Sequence, residues 1–116
     1  MVRYDDEQVR WDQHEVEWTG RGFVLRVPVD DLEPAVAVVL DSSLADRLRE
    51  VPGLGPFTVS VDARYGIALG TTELENIDLD ALRAYVASAL SAAGEATRQA
   101  RSAADTFSRR LHLTLE

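Results

Sequence analysis

The sequence predicts an α+β fold, and three observations lead to it. Two pairs of segments alternate apolar and polar residues on either side of a turn, which is typical of β-hairpins. One segment, 79–110, places apolar residues at alternating steps of three and four, which is typical of an amphipathic helix. The chain has 116 residues, of which 46% are hydrophobic, enough for one core, so residues 1–116 are predicted to form one domain.

The predicted order of elements is β-β-β-α-β-β-α. This order favours an antiparallel or mixed sheet of about five strands, with one short helix and a long C-terminal helix packed on one face of it.

The first hairpin is predicted within residues 14–29. Val16 and Trp18 alternate with acidic residues, and a turn follows at Gly20-Arg21-Gly22. Pro28 has no amide hydrogen, so it is expected at a strand end or an edge. The core face of the hairpin is predicted to comprise Phe23, Leu25, Val27 and Val29, and Trp18 is assigned by default to the core as well.

The segment 31–50 allows two interpretations. The preferred one makes Ala35–Leu40 a third strand, because this run is apolar and rich in β-branched residues, followed by a helix with Ser42 or Ser43 as its N-cap. The competing interpretation makes 31–50 one helix, with buried residues at four-residue steps: Val36, Leu40, Leu44 and Leu48. Pro52-Gly53 ends the helix in both cases.

The second hairpin is predicted within residues 57–69. Its first strand has Phe57, Val59 and Val61 on one face, residues 62–66 turn, and the return strand carries Tyr65, Ile67 and Leu69.

The long helix is predicted to begin after Asn76 or Asp78, either of which is a suitable N-cap. At 1.5 Å per residue, 32 residues extend about 48 Å, whereas a compact domain of this size has a radius of gyration of about 13 Å. The helix is therefore expected to overhang its domain or to fold back at Gly94. Its stripe narrows to small residues that permit close helix pairing, and the predicted interface is Ala93, Ala96, Ala100, Ala103 and Phe107.

Charge is unevenly distributed along the chain. Residues 1–80 carry 17 acidic and 7 basic groups, a net −10, while residues 81–116 carry 3 acidic and 5 basic groups, a net +2, within a total of −8. All 12 basic residues are arginine, which we attribute to the codon usage of a high-GC bacterial genome. An acidic chain repels nucleic acid unless its basic residues cluster; the predicted basic face on the helix is Arg98, Arg101, Arg109 and Arg110.

No motif for catalysis, metal binding or cofactor binding is found. The two histidines, His14 and His112, are almost a hundred residues apart, and neither has a metal-binding spacing. There is no cysteine, and nothing in the sequence pairs Ser42 or Ser43 with a base. The chain is predicted not to be an enzyme and to bind no cofactor. The longest apolar run is too short to span a bilayer, and the first residues lack the order of a signal peptide, so a cytoplasmic protein is expected.

These features favour a small interaction or regulatory module, of the adaptor or chaperone type, that acts through the alanine seam. The expected partner is a second copy, giving a homodimer, or another helical protein. The alternative is a small-molecule-binding domain with a pocket between sheet and helix. The aromatic residues proposed to contact a ligand or partner are Trp11, Trp18, Tyr65 and Tyr85.

A minor alternative comes from a resemblance. The segments Gly22–Val29 and Val36–Leu44 and the long alanine-rich C-terminal helix resemble the YbaB/EbfC family of nucleoid-associated proteins. The resemblance implies a dimer that binds DNA. The sequence departs from that family at its N-terminus, where acidic, strand-like residues replace the expected helix, and in its net charge of −8.

Overall fold

The computed structural model describes residues 4–72 and 75–115, with side chains described as far as Arg109. Two short 3-10 turns precede the first strand, at Asp6–Gln8 and Trp11–Gln13. The regular elements are β1 (Glu15–Trp18), β2 (Phe23–Val27), α1 (Pro34–Leu48), β3 (Phe57–Asp62), β4 (Gly66–Thr71) and α2 (Leu79–Leu115). The α+β fold is confirmed.

The strands form one antiparallel sheet in the order β1-β2-β4-β3. Both predicted hairpins are present, and they meet where β2 pairs with β4. The register places Val16, Leu25, Leu69 and Val59 in one row across the sheet. Because directly paired residues point to the same face, this row belongs to the face that the helices cover.

The strand predicted at Ala35–Leu40 was wrong. These residues form the first half of α1, so the described sheet has four strands and the competing one-helix interpretation of 31–50 is correct. Pro34 is the first helical residue, where its fixed φ and missing amide hydrogen favour a helix start. The residues at four-residue steps are all buried, namely Val36, Leu40, Leu44 and Leu48.

The predicted N-caps Ser42 and Ser43 were also wrong, because both lie inside α1. Each hydroxyl donates a hydrogen bond of 2.9 Å to the carbonyl oxygen of Val39, one turn earlier. These bonds satisfy the hydroxyl groups within the helix, as serine does when it is not a cap.

The core lies between the sheet and the two helices. Leu25 and Val27 of β2 and Ile67 and Leu69 of β4 are buried on the sheet side. The helices contribute the remaining large buried side chains, and those with no exposed surface are Leu40, Leu44, Leu48 and Leu90. The predicted core face of β2 therefore faces the core as expected, although Phe23 is only half-buried.

The long helix is continuous through Gly94 and contains 37 residues, about 55 Å of helix. Asp78 begins it, since its Oδ1 accepts a hydrogen bond of 3.0 Å from the amide of Ala81. The molecule measures 62 × 24 × 24 Å, with a radius of gyration of 17.0 Å. The predicted overhang is thus present, and the helix does not fold back.

Candidate interaction site

The long helix α2 divides into two parts that differ in burial. We call residues 82–97 the buried half, because its inner face is made of side chains with at most 6% exposure: Leu82, Val86, Ala89, Leu90, Ala93 and Thr97. We call residues 98–109 the free half, because every side chain in it is exposed. The change from a buried inner face to fully exposed side chains occurs within one helical turn.

The position of α1 explains where the buried half ends. Arg47, near the end of α1, donates to Ser88 Oγ at 3.0 Å, and Arg101 donates to Glu33, just before α1, at 2.7 Å. These two contacts make α1 and α2 antiparallel, with α1 lying beside α2 as far as Arg101. Beyond Arg101, α2 continues for 14 residues, about 21 Å at 1.5 Å per residue.

The predicted alanine interface falls into two environments. Ala93 is 1% exposed and belongs to the core of its own chain. Ala96, Ala100 and Ala103 are exposed, and Phe107 is 62% exposed. At 100° per residue these four lie within a stripe about 60° wide on α2. We call this stripe the seam.

The seam is uncharged. By the same helical geometry, Arg98, Asp105 and Arg109 lie on the opposite side of α2. A shallow groove beside the seam is lined by Gln99, Ser102, Ala103, Thr106 and Phe107. A second helix placed along the seam therefore encounters no charged side chain of the described part of this face.

The predicted basic face is largely neutralised by ion pairs. Arg98 pairs with Glu95, and Arg109 with Asp105 at 3.1 Å, both along the helix. Arg101 pairs with Glu33 from the other helix at 2.7 Å. The side chain of Arg110 lies outside those that the structure describes. The three described arginines therefore do not present a cluster of unpaired positive charge.

A polar cluster holds the base of the free half against the domain. The hydroxyl of Tyr4 donates to Glu33 Oε1 at 3.0 Å, while Arg101 donates to Glu33 Oε2 at 2.7 Å. The Arg101 bond, and then the Tyr4 bond, lower the pKa of Glu33. Desolvation, followed by the hydrogen bond to Glu33, raises the pKa of Tyr4. These groups border an open groove of about 870 Å³ between the N-terminal segment, the start of α1 and α2.

Sequence reasoning missed this cluster. The three residues are 29 and 68 positions apart, and no local pattern links them. One sequence signal was Gly94 in an otherwise strong helix. A Cβ atom at Gly94 would lie 2.5 Å from Cδ2 of Tyr4, so the glycine allows the tyrosine ring to lie directly on α2.

The four aromatic residues proposed as contacts are not brought together. Trp18 is 60% exposed on β1, so its default assignment to the core was wrong. Tyr65 is 71% exposed and lies in the turn between β3 and β4, not in the return strand. Trp11 and Tyr85 are half-buried against the core, and the guanidinium of Arg83 lies 5.5 Å from the Trp11 ring. None of the four lines the polar groove or the groove beside the seam.

The described residues contain no group of three His, Cys, Asp or Glu side chains arranged to hold a metal ion. His14 is exposed, and its Nδ1 lies 2.6 Å from the carbonyl oxygen of Trp11. His112 has no described side chain. Within the described chain, no helix combines the length and the apolar character needed to cross a membrane.

Comparison with protein-family models, with curated proteins and with solved structures gave no match to this chain.

Proposed function

We propose that this protein is an interaction module that self-associates through the seam of α2, with the seam of one copy packed on the seam of another. The observation that carries the proposal is the stripe itself. At 100° per residue its centre lies about 60° around the helix from the centre of the buried face, and Ala96 is already exposed at the level where Ala93 and Thr97 are buried. From there the uncharged surface runs along α2 past Arg101, and its described residues are all exposed.

The small size of the seam residues supports a helix as the partner. Alanine allows two helix backbones to approach closely, since no large side chain separates them. Phe107 supplies the one large apolar side chain of the described seam. Each buried alanine methyl removes little surface from water, so we expect a weak, reversible dimer. Its dissociation constant should be micromolar or weaker, which corresponds to a free energy of association of about −8 kcal/mol or less favourable.

Charge supports a second copy over an unrelated partner. The uncharged seam imposes no repulsion between identical helices. Residues 1–80 carry a net −10 and residues 81–116 a net +2, so an antiparallel arrangement brings the arginine-bearing end of each α2 towards the acidic domain of the other copy. Opposite potentials of this kind favour encounter and orientation.

The test is the solution mass of the whole chain, measured by light scattering over a range of concentrations. We expect a monomer–dimer equilibrium in the unaltered protein. Ala103→Glu places a charge in the seam and is expected to weaken dimerisation at least about tenfold, equivalent to about 1.4 kcal/mol.

Ser108→Glu is the matched control, because it adds the same charge five residues away. Ser108 is exposed and lies about 110° from the centre of the seam, so this variant is expected to dimerise like the parent. A chain that stays monomeric at every concentration would contradict self-association. A complex between this chain and a different helical protein that Ala103→Glu disrupts and Ser108→Glu leaves intact would keep the seam as the interface but reassign its partner.

A further inference from the structure

The two edges of the sheet differ in whether another element covers them. The β3 edge lies beside α1, and the Oδ1 of Asp41 accepts a hydrogen bond of 2.8 Å from the amide of Val61. At the other edge, β1 pairs with β2 alone among the described strands, and all four of its residues are exposed. An uncovered edge of this kind is a template for an additional strand.

The backbone groups at the β1 edge are available in a regular pattern. Thr19 donates to the carbonyl oxygen of Gly22 at 2.9 Å, which makes these two residues a hydrogen-bonded pair across the hairpin. Because such pairs alternate along antiparallel strands, Glu17 and Glu15 also bond to β2. The amide and carbonyl groups of the remaining two residues, Val16 and Trp18, therefore point away from the sheet.

The side chains of β1 give the edge two chemically distinct faces. On the helix side, Val16 is 48% exposed and Trp18 is 60% exposed, with the Trp18 ring centroid 4.9 Å from that of Phe23. The opposite face carries Glu15 and Glu17. Glu17 accepts from Arg26 at 2.5 Å, whereas Glu15 forms no ion pair among the described residues.

These charges disfavour a second copy of β1 as the added strand. If two β1 strands paired antiparallel with their apolar residues on one face, Glu17 would lie opposite Glu17 or Glu15 of the other copy. Like charges directly opposite each other destabilise a strand pair. A strand with basic residues at those positions is complementary instead, and the net −10 of residues 1–80 attracts it over longer range.

We propose that the open edge of β1 binds an extended segment of a partner protein in which basic residues alternate with apolar residues. The segment adds a fifth strand beside β1. Its backbone bonds to Val16 and Trp18, its apolar side chains pack beside these two residues, and its basic side chains lie beside Glu15 and Glu17. Backbone bonds supply affinity in this mode, and the alternate side chains supply specificity.

The probe is a short labelled peptide that alternates arginine and valine, titrated with the full chain at low salt and followed by fluorescence anisotropy. We expect saturable binding and no binding of the peptide that alternates glutamate and valine. Glu15→Arg/Glu17→Arg is expected to weaken binding at least about tenfold. The control Glu50→Arg/Glu75→Arg makes the same change of net charge at exposed loop positions and is expected to bind like the parent. Circular dichroism establishes that both variants are folded.

Backbone bonding is tested with peptides that are N-methylated at every second residue, in each of the two possible phases. In an added strand only one phase directs its amide hydrogens towards β1, so one methylated peptide should lose binding and the other should keep it. Equal binding of both phases, or of the glutamate peptide, would overturn the proposal. So would self-association that Ala103→Glu leaves intact and the arginine–valine peptide dissociates, because the edge would then belong to a second copy. Failure of dimerisation through the seam does not affect this test.

Discussion

The two halves of α2 each carry an uncharged stripe, but the two stripes differ in the size of their residues. In the buried half the stripe includes Leu82, Val86 and Leu90, which belong to the core and are at most 2% exposed. In the free half the seam is built from alanine until Phe107. Large side chains thus lie where the core of the domain is filled, and alanine lies along the part of the helix whose described side chains are exposed.

The largest expected difference between the halves is in stability. Leu90 has no exposed surface, so Leu90→Ala leaves a cavity and should lower the free energy of unfolding by about 2 to 5 kcal/mol. Phe107→Ala removes a larger side chain from the free half, yet it should change the free energy of unfolding of the dilute monomer by no more than about 0.5 kcal/mol. Urea denaturation measures both.

The two variants should unfold with the same dependence on urea, since that slope reports the surface exposed on unfolding. If Phe107→Ala lowered the free energy of unfolding nearly as much as Leu90→Ala, the free half would have to pack within its own chain. That result would contradict the difference between the two halves.

A smaller effect is expected where the halves join, at the contact between Gly94 and Tyr4. Gly94→Ala gains helix propensity, about 1 kcal/mol, but its Cβ would displace the Tyr4 ring, which lies 2.5 Å away. In a Tyr4→Ala background the obstacle is absent, so Gly94→Ala should stabilise the protein by about 1 kcal/mol there and by less in the parent.

A double-mutant cycle of these two substitutions, measured by urea denaturation, gives the coupling directly. We expect a coupling energy of about 0.5 kcal/mol or more, the range for residues in contact. Additive effects would mean that the tyrosine ring does not rest on α2.

The smallest expected effect is a pH dependence from Glu33, which joins α1 to the start of the free half. Its pKa lies below the ordinary value of 4.5 because it accepts hydrogen bonds from Arg101 and Tyr4. The stability that the ionised carboxylate of Glu33 contributes to the folded protein is therefore fully present above about pH 4.5. It is lost as pH falls through the lowered pKa of the folded state. Thermal unfolding of Glu33→Gln, compared with the parent from about pH 3 to pH 7, should show a melting-temperature difference that shrinks towards acid.

Glu50→Gln is the control for this series, because Glu50 is exposed and forms no ion pair among the described residues. Its melting temperature should follow that of the parent across the range. A constant difference between Glu33→Gln and the parent would show that the carboxylate contributes through packing and not through its charge.

Local pattern was a good guide where one neighbouring element decides the structure. The hairpins were predicted from alternation and turn residues, and Gly20, with φ +85°, occupies the first central position of the turn that joins β1 to β2, as tight hairpin turns favour. The pattern failed at Ala35–Leu40, because a short apolar run has no period that separates a buried strand from a buried helix face. Pro34 and the later leucines carried the deciding information, which a residue-by-residue strand propensity does not weigh.

The sequence by itself determined the α+β class, both hairpins, the start of α2 at Leu79 and the change along α2 from large residues to alanine, because periodicity and residue size are local properties. The predicted helix ended at Arg110, whereas α2 continues to Leu115. Only the tertiary structure decided that α1 begins beside Arg101, that Tyr4 and Glu33 meet there, and that Ala93 is core while Ala96 is exposed. It also decided that β1 is the open edge while Asp41 bonds to the backbone of β3. Each of these depends on which segments, distant in the chain, lie next to one another, and that is fixed by how the whole core packs.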